Sequence, residues 1–150
     1  MRIVIQRVSR ASVSIDGKLH SSIGRGLMAL VGVETGDTPD EAKWLAAKTA
    51  ALRIFADEAG VMNRSVVDVV GEILAVSQFT LTASTRKGNR PSYIRAAGHD
   101  LATQLYEAYC DELTALTGRE TAKGVFGADM AVGLINDGPV TIIIDSRLKE

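Results

Sequence analysis

The alternation of apolar and polar side chains predicts a strand-rich first quarter of the chain. Residues 2–9 and 12–15 alternate with the two-residue period of a strand. Asp16-Gly17 is typical of a hairpin turn, and residues 18–23 follow as the return strand. After a turn over residues 24–26, residues 27–33 are apolar enough for a central strand. These hairpins predict the beginning of an antiparallel sheet.

Two segments have the apolar spacing of helices. The first has Thr38 as its N-cap and Pro39 at its first position, and its apolar stripe predicts a helix to about Ala56. The second spans residues 99–117 and ends before Gly118. The sequence therefore contains two predicted helices.

The remaining pattern is again that of strands. Residues 73–76 form an apolar, buried strand, and three further strands are predicted at 120–126, 130–135 and 140–144. Residues 136–139 have the composition of a turn. The segment 140–144 is nearly all β-branched, which predicts burial on both faces and favours coverage by a second subunit. Strands with two helices predict an α+β fold, and 150 residues fit a single domain, 1–150.

Composition narrows the class of protein. A net charge of −1 argues against general coating of nucleic acid, but the charge is segregated. Between Ile73 and His99 there are four cations and no acid. The one cysteine excludes an internal disulfide, and the absence of a leader-like or membrane-length apolar run predicts a cytoplasmic location without a membrane. The spacing of histidine and cysteine favours no metal site, and we expect no cofactor.

The residues most suggestive of chemistry lie at the end of the strand 73–76. Ser77, Gln78, Phe79 and Thr80 follow it directly, and a basic loop with Arg86, Lys87 and Arg90 comes next. Polar side chains at a strand exit beside cations are typical of a site that receives an anion next to a reacting group. The alternative is that these residues only end the strand and solvate a turn.

Several motifs resemble those of the D-aminoacyl-tRNA deacylase family. Two signatures carry the resemblance, Ser77-Gln78-Phe79-Thr80-Leu81 and Asn136-Asp137-Gly138-Pro139-Val140-Thr141. The segments 1–8, 24–27, 86–92 and 126–130 resemble the same family. One departure is Tyr93, where phenylalanine is expected.

The resemblance implies a fold and an activity. The fold is a mostly antiparallel, barrel-like sandwich with two helices, and the protein is a homodimer with active sites at the interface. The enzyme hydrolyses the ester between a D-amino acid and the terminal adenosine of tRNA. It also removes glycine from mischarged tRNA(Ala) and rejects L-aminoacyl-tRNA. Gly138 and Pro139, joined by a cis peptide, are implied to enter the partner's pocket.

Roles follow for the individual residues. Main-chain N–H groups near Phe79 and Thr80 would stabilise the oxyanion. Thr80 is either a nucleophile or a group that orients ester and water, with Ser77 and Gln78 as positioning groups. We expect Phe126 and Met130 to bind the adenine of the terminal adenosine. We expect Arg86, Lys87 and Arg90 to contact tRNA phosphates. Arg7 is expected to brace the Gly138-Pro139 turn.

Plain alternatives remain for these residues and for the function. Phe126 and Met130 are also typical of core packing, and a basic loop is often merely solvated. Two rival functions fit the same residues. One is a small-molecule esterase or amidase that uses Thr80 as nucleophile, and the other is a module that binds tRNA ends without hydrolysis.

Overall fold

The computed structural model describes residues 1–149 and has one large sheet and two helices. The strands are β1 (Arg2–Ile15), β2 (Lys18–Ile23), β3 (Gly26–Gly32), β4 (Phe55–Ala56), β5 (Met62–Arg64), β6 (Glu72–Ser77), β7 (Ala122–Lys123) and β8 (Ala131–Asp145). The helices are α1 (Pro39–Ala51) and α2 (His99–Thr117).

The large sheet is mostly antiparallel and nearly closed. Its order is β2-β1-β3-β6-β7, and β8 pairs with the other side of β1. The pairs β3–β6 and β6–β7 are parallel, while β1 is antiparallel to its three neighbours. The Ser21 hydroxyl donates to the Lys123 carbonyl at 2.8 Å, which links β2 to β7 across the opening. The α+β fold with a barrel-like sheet and two helices is confirmed.

The central strands are buried on both faces because two apolar cores lie on either side of them. On β3, Leu27 and Ala29 belong to the core beneath the helices, whereas Met28 belongs to the core inside the sheet. On β6, Ala75 and Leu74 divide in the same way. Since successive side chains of a strand point to opposite faces, these apolar runs serve both cores at once.

Two predicted boundaries are wrong. The first helix ends at Ala51 and not near Ala56, because Phe55 pairs with Arg64 in the ribbon β4–β5 and is 1% exposed. Tertiary pairing overrides the helical spacing here. The predicted strand 120–126 is reduced to the two residues of β7.

The predicted turn at 136–139 is also wrong, because β8 continues through it. Gln6 of β1 pairs with Thr141 and Val8 pairs with Asn136, so residues 137–140 form a bulge in one long strand. Burial of 140–144 on both faces is not found within one chain, since Ile143 is 66% exposed. The outer edge of β8 has no strand partner in the described part of the chain.

Candidate functional site

The chain turns sharply at the end of β6. The Gln78 amide donates to the Val31 carbonyl at 2.8 Å, which extends the pairing of β6 with β3 by one residue. Phe79–Thr82 then form a short 3₁₀ helix, and the Thr82 hydroxyl donates to the Phe79 carbonyl at 2.8 Å. This tight turn leaves Phe79 57% exposed while Thr82 is fully buried.

Two arginines contact the end of this 3₁₀ helix. Arg2 Nη1 donates to the Leu81 carbonyl at 3.1 Å, and Arg95 Nη2 donates to the Thr82 carbonyl at 3.2 Å. Arg2 also pairs with Asp145, with 2.9 Å between Nη2 and Oδ2. Burial alone would raise the pKa of Asp145, but hydrogen bonds from the Arg147 amide and from Arg2 hold this pKa below its usual value. The two guanidinium groups therefore tie the 3₁₀ helix to other parts of the fold.

A pocket of about 340 Å³ opens beside the end of β6. Five of the predicted residues line it: Ser77, Gln78 and Phe79 at the end of β6, and Phe126 and Met130 from the segment before β8. Two segments far apart in the sequence therefore share one pocket. Its other lining residues are Val31, Val33, Val76, Ala97, Ala102, Tyr106, Gly127, Ala128, Asp129 and Val132.

Aromatic packing forms one wall of the pocket. Phe126 lies edge-on to His99 and against Tyr106, with ring centroids 5.2 Å and 6.0 Å away. The Tyr106 hydroxyl donates to the Ala75 carbonyl at 2.9 Å, and burial raises the pKa of this phenol. Tyr106 is therefore a fixed, neutral part of the wall. Sequence reasoning missed it because its helical spacing marks it only as a core residue.

Thr80 is not among the described residues that line this pocket. It lines a second hollow of about 540 Å³ with Arg2, Val4, Leu81, Ile143, Asp145 and Leu148. Gln78 Nε2 donates to Thr80 Oγ1 at 2.6 Å, and this is the one hydrogen bond of the Thr80 hydroxyl in the described part of the chain. Gln78 thus bridges the pocket and the hydroxyl. No group of three or more metal-ligating side chains occurs among residues 1–149.

Gly138 and Pro139 lie in the bulge of β8, and their peptide bond is cis. Both are exposed, and neither is among the described residues that line the pocket of their own chain. Arg7 contacts the bulge: its Nε donates to the Asp137 carbonyl at 2.9 Å, and its Nη1 donates to the Ile54 carbonyl at 2.6 Å. The structure therefore places Arg7 between the bulge and the segment after α1.

Arg86, Lys87 and Arg90 lie in an exposed loop beside the site. Ser84 and Ser92 close its base with two main-chain hydrogen bonds of 2.9 Å each. Within residues 1–149 the three cations form no salt bridge. Their charges are therefore available to an external anion.

Solved structures share this fold. The chain matches one described as a c-Myc DNA unwinding element binding protein with a TM-score of 0.90 and 40% identity, covering 97% of this chain and 98% of that one. A probable eukaryotic D-amino acid tRNA deacylase matches with a TM-score of 0.82 and 16% identity over 95% and 97% of the two chains. The second likeness concerns the fold alone.

Sequence relatives define the class of protein as a hydrolase. A D-aminoacyl-tRNA deacylase of Parabacteroides distasonis is 59% identical, and one of Chromobacterium violaceum is 56% identical, each over all of both chains. The family model described as D-Tyr-tRNA(Tyr) deacylase matches residues 4–145. The chain belongs to this family of enzymes. Within the described residues, no helix is long and apolar enough to cross a membrane.

Proposed function

We propose that this protein hydrolyses the ester that joins a D-amino acid to the terminal adenosine of tRNA. It also releases glycine from mischarged tRNA(Ala), and it rejects L-aminoacyl-tRNA. The observation that carries the proposal is the pocket that Ser77, Gln78 and Phe79 share with Phe126 and Met130. Full-length relatives named for this reaction support it.

The chemistry requires little from the side chains. An ester next to an ammonium group is already activated, so the main needs are oxyanion stabilisation and an oriented water. The N–H groups of Phe79 and Thr80 begin a 3₁₀ helix, and such groups have no partner within the helix. One well-placed donor of this kind contributes about 3–4 kcal/mol to the transition state.

Thr80 is a positioning group in this proposal. Its oxygen accepts a hydrogen bond from Gln78, so its own proton remains available to the ester or to water. No imidazole or carboxylate among the described residues hydrogen-bonds Thr80, and a threonine nucleophile needs such a base. The neighbouring 2′-hydroxyl of the ribose assists the reaction, and Ser77 helps to orient the ester.

Phe126 and Met130 bind the terminal adenine. An aromatic ring and a polarisable sulfur are suited to a flat base, and both line the pocket. Arg86, Lys87 and Arg90 contact tRNA phosphates, which fits three exposed cations beside the site.

The active unit is a homodimer in which each chain lends Gly138 and Pro139 to the pocket of its partner. Three features support this assembly: the bulge is exposed, the outer edge of β8 is unpaired in the described chain, and Ile143 and Leu148 expose apolar surface nearby. A long open edge strand is normally covered. Main-chain atoms beside the substrate's α-carbon admit hydrogen or a D side chain and exclude an L side chain. Arg7 braces the bulge from behind.

We place the reaction in the cytoplasm, where charged tRNA is used and where a lone thiol stays reduced. The discriminating experiment incubates the purified protein with tRNA charged with D-Tyr, L-Tyr or glycine. Rapid release of D-Tyr and glycine with intact L-Tyr-tRNA is expected. Equal release of both enantiomers contradicts the proposal, and no release favours a module that only binds tRNA ends.

The role of Thr80 has its own test. Thr80→Ala is expected to retain measurable turnover, because the substituted group only positions. Complete loss of turnover with unchanged tRNA binding, together with a trapped acyl-Thr80 adduct, would show a covalent route. Activity on simple D-amino acid esters as high as on charged tRNA would instead favour a small-molecule esterase.

A further inference from the structure

A small apolar surface borders the pocket on its outer side. It consists of Phe79, Tyr93 and Ile94, which are 57%, 38% and 88% exposed, and we call it the apolar lip. The rings of Phe79 and Tyr93 are in contact, with centroids 5.0 Å apart and planes at 69°. The Ala96 amide donates to the Tyr93 carbonyl at 2.9 Å, so Ile94 lies at the corner of a turn. Three large apolar side chains are therefore exposed to solvent next to one another.

The apolar lip lies between the pocket and the basic loop. Phe79 belongs both to the lip and to the pocket lining. On the other side, Tyr93 directly follows Ser92, which closes the base of the loop that carries the cations. A ligand that extends out of the pocket in this direction first meets the lip and then positive charge.

We propose that the apolar lip binds a nucleobase of the unpaired 3′ strand of tRNA, next to the adenosine that enters the pocket. This inference rests on the proposed function, because the pocket supplies the anchor for the neighbouring nucleotide. In an edge-on pair of rings, one ring keeps both faces free, and a base stacks on such a face. The phosphates of the same strand then lie near the basic loop.

The charges around the apolar lip favour a nucleic-acid strand as its ligand. No Asp or Glu occurs between Ile73 and His99, so the charges that the loop presents beside the lip are positive. Exposed aromatic side chains beside unpaired cations are typical of surfaces that bind single-stranded nucleic acid, where stacking tolerates any base. A second copy of this chain is the competing occupant, and the test includes it.

The experiment compares two substrates that share the reacting ester. One is D-Tyr-tRNA, and the other is D-tyrosyl-adenosine, which fills the pocket but has no further nucleotide. Loss of one stacked base lowers binding about tenfold. We expect Tyr93→Ser and Ile94→Ser to lower the ratio of kcat/KM on tRNA to kcat/KM on the small ester by about that factor.

Two control variants sharpen the comparison. Tyr93→Phe keeps the ring and is expected to keep the ratio of the unmodified protein. Leu19→Ser removes an apolar side chain that is 65% exposed on β2 and is also expected to leave the ratio unchanged. An unchanged ratio in Tyr93→Ser and Ile94→Ser overturns the inference.

Two further measurements separate the possible failures. Binding of uncharged tRNA by the lip variants is expected to weaken by the same factor as the ratio. If the unmodified protein hydrolyses neither substrate but the variants weaken tRNA binding, the proposed function is wrong, whereas the inference that the apolar lip binds tRNA is supported. If light scattering shows that the variants break a dimer, the lip is an interface between copies and the inference is overturned.

Discussion

Two main-chain segments of the predicted site are both held by arginines, but their surroundings differ. The 3₁₀ helix Phe79–Thr82 accepts hydrogen bonds from Arg2 and Arg95 and lies against β3. The bulge 137–140 accepts one from Arg7 and is otherwise exposed at Gly138 and Pro139. Packing within the chain therefore fixes the first segment on several sides. The second is held from behind by Arg7 and across its base by Asn136, whose Oδ1 accepts from the Val140 amide at 3.0 Å.

This difference indicates a division of labour. The first segment contacts the core of its own chain, so a single chain is enough to define its geometry. The bulge is held firmly at its back but offers its outer face to nothing in the described chain. A rigid, exposed main chain of this kind suits binding better than packing. The following variants test the comparison, from the largest expected effect to the smallest.

Gly32→Val is expected to have the largest effect, because it acts on the buried segment. A Cβ at Gly32 would lie 2.9 Å from the Leu81 Cβ and 3.1 Å from the Gln78 carbonyl oxygen. Such overpacking costs about 1–3 kcal/mol of the free energy of unfolding and displaces the 3₁₀ helix. Urea denaturation and D-Tyr-tRNA hydrolysis measure both effects. Gly133→Val is the control, since its nearest neighbour is the rotatable Ser12 hydroxyl at 3.4 Å; an equal cost there would contradict the reasoning.

Ile143→Glu tests whether a second copy covers the open face of β8. This side chain is 66% exposed in one chain, so the fold itself should lose less than about 0.5 kcal/mol. At a dimer interface, however, a buried carboxylate without a partner is expected to dissociate the copies and to reduce hydrolysis at least about tenfold. Light scattering and activity are measured together, with Leu19→Glu as the exposed control. A stable dimer of full activity would contradict the proposed assembly.

Gly138→Ala tests the bulge. Its φ of +136° disfavours any side chain, and a Cβ would lie 2.8 Å from Arg7 Nη2. We expect a stability cost of about 1–3 kcal/mol and an approximately tenfold fall in the ratio of D-Tyr to L-Tyr release from tRNA. Gly88→Ala has nearly the same φ, +137°, with no neighbour within 4 Å, so it reproduces the backbone cost without the contact to Arg7. An unchanged enantiomer ratio in Gly138→Ala argues against this role.

Arg2→Ala has the smallest expected effect, a change in acid stability. The pKa of Asp145 in the folded protein is lowered from 3.8. The pairing of Asp145 with Arg2 therefore contributes its full stabilisation above pH 3.8, and this contribution is lost as the pH falls through the lower pKa of the folded state. Without Arg2, the free energy of unfolding should fall less steeply with decreasing pH in this range. Asp145→Asn should flatten the same part of the profile. Identical acid profiles for Arg2→Ala and the unmodified protein would contradict this coupling.

Local signals predicted the parts of the fold that local interactions determine. The second helix was predicted with both of its ends, since an apolar stripe and the left-handed Gly118 define it. The end of the first helix and the bulge in β8 were not predicted from the sequence. Their conformations depend on pairing between strands: Phe55 pairs with Arg64, and the residues that flank 137–140 pair with β1. Turn composition at 136–139 does not distinguish a hairpin from a bulge.

The candidate site was only partly predictable for a similar reason. Ser77–Thr80 were identified because contiguous polar residues follow a buried strand. Arg2 was not identified, because its partner is the Leu81 carbonyl, 79 residues away, and a main-chain acceptor has no sequence signature. The division of Phe79 and Thr80 between two cavities depends on the 3₁₀ helix, which the sequence pattern did not indicate.

The single cysteine has a practical consequence for fluorescence work. Burial raises the pKa of the Cys110 thiol to about 12, and its exposed fraction is 1%. Maleimide dyes at neutral pH should therefore leave the folded protein unlabelled. An Asn89→Cys variant would then have one reactive position in the basic loop, and a dye there could report the arrival of tRNA without removal of the native sulfur.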